Sequence, residues 1–181
     1  MISVFCTELR FIVKKIKYRK RFSYAGIQRF SPNTELSLEN GAEIILGKKV
    51  RAHTGTKIRS RKNASITIGN DVAFNYNCMV TGYESISIGS GCEIGPGVMF
   101  FDHDHDYHNH DLNEGVYTTT PITVGKNVWI GANCVILRGA EIGDNSVIGA
   151  GTVVRKGKYP ANSLIYQEST IIVKDINRKV K

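Results

Sequence analysis

The residues best equipped for chemistry crowd into one stretch, Phe101-Asp102-His103-Asp104-His105-Asp106-Tyr107-His108-Asn109-His110-Asp111. Four of the chain's five histidines fall within eight residues there, interleaved with acids. Imidazole titrates near neutral pH, so it serves as a general base or a metal ligand, or it does neither in a solvated loop. A metal site would recruit several of these histidines and place carboxylates behind them. A general base needs one imidazole and one orienting carboxylate, for which Asp102 and Asp104 are the neighbours. A loop that does nothing leaves four histidines among four aspartates without a purpose.

Around this stretch the chain keeps a six-residue period. Blocks open at Val124, Ile130, Ile136, Ile142 and Ile148 without a gap, and earlier at Leu46, Ala52, Ile58, Ile68, Phe74, Val80, Ile88, Ile94 and Phe100, with slips of a few residues after every third block. Each opens with an apolar residue, usually follows it with Gly, and carries a small or β-branched residue at its fifth position. A helix would repeat at 3.6 and a half-buried strand at 2, so neither explains a period of six. A solenoid of short parallel strands does, with three hexads to a coil, position one filling the interior and position five kept small to clear it. Eight glycines stand at position two and five at position four, which accounts for most of the 18. Gly there suits bends that strain other residues. From Phe100 to Val124 the period lapses, so an excursion leaves the coils over about 101–123, and the histidines are on it. Long insertions in solenoids mark functional faces.

Composition narrows the classes. The 181 residues suit one folded domain, and 41% apolar positions supply a core. The formal charge of +8 is a property of the ends. Residues 1–21 carry seven Lys and Arg against Glu8, residues 155–181 seven against Glu168 and Asp175, and the stretch between is net negative. Nucleic-acid binding is therefore not expected. No apolar run is long enough to span a bilayer, and the basic cluster follows the first apolar stretch, the reverse of a secretory signal, so a cytoplasmic protein is expected. Cys78, Cys92 and Cys134 fall at position five, and together with Cys6 they read as free thiols. Phe5, Leu9, Ile12 and Ile16 step at helical spacing among Arg10, Lys14, Lys17 and Arg21. An amphipathic helix results, either a cap over the first coil or a surface resting on anionic membrane, with the cap preferred.

The hexads over 46–160 resemble the hexapeptide-repeat acyltransferases. That resemblance implies an all-β, left-handed parallel β-helix, homotrimers with active sites between subunits, and acetyl-CoA as donor. Within the family the chain is similar to the maltose, galactoside and nodulation-factor O-acetyltransferases. Asn75-Tyr76-Asn77-Cys78 resembles their Asn-Phe-Asn motif, their essential histidine corresponds to His105, and their tryptophan to Trp129. Asp-His-x-His loops of this kind are also found in capsule and lipopolysaccharide members, where the second histidine is the base. The resemblance makes His105 the general base, oriented by Asp102, with His103 beside it. Asn75, Tyr83 and Trp129 become acceptor contacts, Ala132 and Ala150 backbone contacts to the donor, and Arg155 and Lys156 partners of its phosphates. Tyr83 replaces an acid of the galactoside and maltose enzymes, and Gln167-Glu168-Ser169-Thr170 departs from the relatives' C-terminal pattern.

The expected organisation is a basic cap over 1–45, the β-helix over 46–160 with its loop at 101–123, and a basic tail over 161–181. The expected function is O-acetylation of a sugar hydroxyl on a surface glycan of capsule or lipopolysaccharide type, without metal, at the inner face of the membrane if residues 1–21 rest there. A metal-dependent hydratase resembling the gamma-class carbonic anhydrases, an antibiotic-modifying acetyltransferase and a non-catalytic scaffold are the alternatives.

Overall fold

The computed structural model describes residues 2–108, 111–168, 170 and 173. His110 and the basic residues 174–181 lie outside them. Among the described residues three parallel sheets of seven, seven and six strands form the faces of a prism. The first face runs from Phe22–Tyr24 to Gly157–Tyr159, the second from Arg29–Phe30 to Leu164–Ile165, the third from Glu35–Leu38 to Val153–Val154. Every strand pairs in register with its equivalent one coil away, as Ile66 does with Ile86 and Ile86 with Ile122. This stacking turns position one into continuous apolar columns. One of them holds Phe30, Ala52, Phe74, Ile94, Ile130 and Ile148, all buried.

Coils begin upstream of the expected residue 46. Tyr24, Phe30 and Leu36 are position-one residues of a first coil, but Ser31 follows Phe30 in place of Gly, and Gln28 occupies a small slot. Its buried amide donates to the carbonyls of Ala25 and Gly47 at 2.8 Å, which satisfies a polar group where the hexad pattern expects a small one. The last strand, Leu164–Ile165, likewise lies past the expected end. The three cysteines sit where the period places them, at 1%, 0% and 0% exposure for Cys78, Cys92 and Cys134. Burial pushes the Cys78 thiol up to about 11.

The two glycine positions answer two different constraints. At position four the backbone turns left-handed, as at Gly97 with φ 70°, and Asn133 adopts the same sign one coil on with φ 56°. Asn tolerates this region better than most residues, so the two types alternate there. At position two the constraint is crowding. A Cβ on Gly131 would lie 2.6 Å from the backbone nitrogen of Ala150 in the next coil.

An α-helix, α1 (Ile2–Tyr18), closes the N-terminal end. Phe11 enters the core against Phe22, Tyr24 and Phe30, with ring centroids 5.3, 5.2 and 5.0 Å away. Thr7 Oγ1 donates to the Phe30 carbonyl, Arg10 to those of Ser31 and Thr34, and Lys14 Nζ to that of Leu36. These bonds satisfy an edge that would otherwise present unpaired carbonyls. The helix caps the first coil, as preferred from the sequence, but with its other face. Phe5, Leu9, Ile12 and Ile16 point away from the coils. Among the described residues no helix is long and apolar enough to cross a membrane.

Candidate active site

The slips in the hexad period all occur where the third face turns into the first, and the histidine stretch leaves at that edge. Met99–Phe101 still belongs to the third face and Ile122–Val124 to the first, so the excursion comprises 102–121. It rises as an arm in which His103–His105 pairs antiparallel with Tyr117–Thr119. Alternation along a strand puts His103 and His105 on one side and Asp104 on the other. Asp104 meets the Arg138 guanidinium, which also reaches Thr120 Oγ1 at 3.5 Å, so the arm is braced against the next coil.

Asp102, expected to orient His105, does something else. It is fully buried at the arm's root, where its carboxylate accepts the backbone N–H groups of Tyr83 at 2.7 Å and Glu84 at 2.8 Å. The imidazole beside it is that of His103, with Nδ1 3.3 Å from Oδ1. His103 is packed against Tyr83 at 4.1 Å, Tyr117 at 5.3 Å and Phe101 at 5.9 Å, so it acts as a pillar inside the root. Tyr83, expected as an acceptor contact, is part of this pillar too. Burial, then its hydrogen bond with Tyr117, raises its phenol to about 12 and keeps it neutral. His105 stands one step farther out, exposed, with its ring 4.7 Å from that of Tyr117. Asp102 thus reaches His105 only through this row of rings.

The other expected contacts lie at a different edge, where the second face turns into the third. Asn75 is there, its Oδ1 accepting the N–H of Tyr76 at 2.9 Å. Ala132 and Ala150 follow on later coils of the same edge. Trp129 stands just before it on the second face, 59% exposed and in register with Glu93 and Val147. Arg155 and Lys156, by contrast, sit exposed on the arm's edge. The ten expected site residues therefore divide between two edges that flank the third face, and one protomer does not bring them together.

Several residues of the site were not singled out from the sequence. Tyr76 packs against His53 with ring centroids 4.8 Å apart and the rings tilted by 34°, an exposed aromatic surface beside Asn75 formed by residues on consecutive coils. Tyr117 and Arg138 hold the arm, and Arg61 lies over the Tyr83 ring at 5.8 Å. Coil-to-coil spacing of about 20 residues was the signal for the His53–Tyr76 pair; the arm contacts had none. Among the described residues no three His, Cys, Asp or Glu side chains gather as a metal would need.

Known proteins share this framework. The galactoside O-acetyltransferase of Escherichia coli (strain K12) is 36% identical over 118 residues, 65% of this chain and 58% of that protein. Nodulation protein L of Rhizobium leguminosarum bv. viciae is 39% identical over 119 residues, 64% of this chain and 63% of that one. The chain thus spans about three fifths of the length of these two relatives. A solved galactoside acetyltransferase in complex with coenzyme A superposes with a TM-score of 0.53 at 26% identity, covering 91% of this chain and 72% of that one. Residues 121–156 match the family described as bacterial transferase hexapeptide (six repeats), and the coils on either side of them repeat the same strand pairing.

Proposed function

We propose that the protein is an acetyl-CoA-dependent O-acetyltransferase that works as a homotrimer in the cytoplasm and acetylates a sugar hydroxyl of a surface glycan of capsule or lipopolysaccharide type. The observation that carries this reading is the division of the site between two edges of the prism. Parallel copies around a threefold axis bring the arm edge of one against the Asn75 edge of the next, a heterologous contact that closes after three. His105 of one copy then faces Asn75, Trp129 and the His53–Tyr76 surface of its neighbour. The pantetheine arm lies along the backbone at Ala132 and Ala150, and Arg155 and Lys156 meet the phosphates at the basic edge.

His105 accepts the proton of the sugar hydroxyl as that oxygen attacks the thioester carbonyl. A backbone N–H near Ala132 meets the developing oxyanion, and the C–S bond breaks with coenzyme A leaving as the thiolate. Two features suit His105 to this work and His103 to support. His105 is exposed where His103 is packed, and it is backed by one tyrosine ring where His103 is enclosed by three aromatic rings.

The test is acetyl-CoA turnover, read as free thiol, across sugars and oligosaccharides. His105→Ala should lose about 10²–10⁴ in rate while remaining folded and trimeric. Near-normal turnover in that variant would overturn the assignment, and an equal loss in His103→Ala with His105→Ala active would move it to His103.

A further inference from the structure

The outer face of α1 has the make-up of a surface that rests on lipid. Phe5, Leu9, Ile12, Val13 and Ile16 are each between 49% and 74% exposed. At about 100° per residue they fall in a single arc of the helix, away from Phe11. Exposed Lys15 and Lys17 stand on the two borders of that arc, and Arg19, Lys20 and Arg21 continue the positive charge past the helix end. Glu8, the one acid of the helix, is turned inward, where its Oε1 accepts the backbone N–H of Gln28 at 3.1 Å. A hollow of about 750 Å³ beside the first two coils is lined by Arg29, Lys48, Lys49 and Arg51 together with exposed Ile27, and two of these cations face acids, Lys49 with Asp71 at 3.9 Å and Arg51 with Glu93 at 2.9 Å.

An apolar stripe of this size calls for something to cover it. A second copy would set identical cationic helices against each other, with no acid on the outer arc to offset them. Anionic headgroups match both halves of the surface, since the stripe sinks about 5–10 Å into the interface while the lysines and arginines stay at headgroup level. We infer that α1 is an interfacial anchor that lays the capped end of the coils on an anionic bilayer. The coils then stand upright on the lipid. With strands about 4.8 Å apart and a helix about 10 Å thick beneath them, the arm after the fourth coil is roughly 25 Å above the surface. On the transferase reading, which this last clause alone assumes, the site is within reach of sugars carried on lipid.

The experiment is co-sedimentation of the full chain with vesicles of phosphatidylcholine alone and of phosphatidylcholine mixed with phosphatidylglycerol, at low and high salt. Binding should appear with the mixed vesicles only and weaken with salt. The double variant Phe5→Ser, Ile16→Ser should lose about tenfold or more in partitioning. Its oligomeric state, thermal stability and turnover on a soluble acceptor should not change, because both side chains lie outside the core. The inference is overturned if the unaltered protein stays in the supernatant with anionic vesicles, if the variant binds as well, or if the variant changes oligomeric state, which would mean that another copy covers the stripe. Binding is read without catalysis, so a protein that binds vesicles but transfers no acetyl group would defeat the enzyme reading and leave this one standing.

Discussion

Asp102 and His105 are three residues apart and separate in role. Asp102 sits where a charge would be costly without partners, and it has three, two backbone N–H groups and the His103 ring. Asp102→Asn keeps the size but loses acceptor capacity, so at least one of those donors goes unmet, at about 1–3 kcal/mol. The variant should melt earlier and lose activity through a displaced arm, with a smaller loss of turnover than His105→Ala; calorimetry beside the thiol assay checks both. An Asp102→Asn protein that melts like the parent would remove the root from this account. The cysteines give a prediction of pH dependence. The Cys78 thiol lies at about 11 against an ordinary 9, so the folded state holds its proton more tightly than the unfolded chain does. That contribution to stability is fully present below pH 9 and fades as pH rises from 9 through 11. Cys78, Cys92 and Cys134 should accordingly resist alkylation at pH 8 in the native protein, with Cys6 on the half-buried helix face labelled first.

At the scale of elements, coils and arm make different demands. The coils are close-packed backbone against backbone, so Gly131→Ala should cost more than Gly151→Ala. The first meets the Ala150 backbone at 2.6 Å, whereas the second has nothing within 4 Å and only a φ of 73° to pay for. Overpacking of the first kind runs to about 1–3 kcal/mol, and the left-handed strain of the second to about 1–2 kcal/mol. Paired thermal melts would show it, and Gly151→Asn should be nearly silent, since Asn holds the same turn on neighbouring coils. The arm is attached by few contacts and is held at its flank by Arg138. Arg138→Ala should lower the melting temperature only slightly, because the Arg138 and Asp104 side chains keep 30% and 49% of their surface in solvent, yet expose the arm to limited proteolysis and slow turnover. An arm as protease-resistant as before would show that its root suffices.

At the scale of the whole molecule, the division of the site predicts complementation. His105→Ala and Asn75→Ala trimers should each be impaired. Mixed trimers assembled from the two should recover part of the activity, because some interfaces then pair an intact His105 with an intact Asn75. No recovery on mixing would mean that each protomer works with its own arm and its own edge.

The hexads determined the solenoid, its three-hexad coils, the inward cysteines and the point where the arm leaves, because in a repeat structure each unit packs only against its neighbours and local pattern carries the global fold. The sequence also indicated which stretch holds the histidines and that α1 is a two-faced helix. Tertiary structure decided the rest. Asp102 finds its backbone donors one coil back, at Tyr83 and Glu84, a distance no hexad rule measures once the period has slipped at that edge. The buried side of α1 is the one whose Thr7, Arg10 and Lys14 can bond the carbonyls of the first coil, so the need to satisfy backbone groups outweighed the more apolar stripe. The same logic put Asn75 and His105 on separate edges. Phase slips of two to four residues set which corner each one turns, and only the stacked coils reveal that the two lie on different edges of the prism.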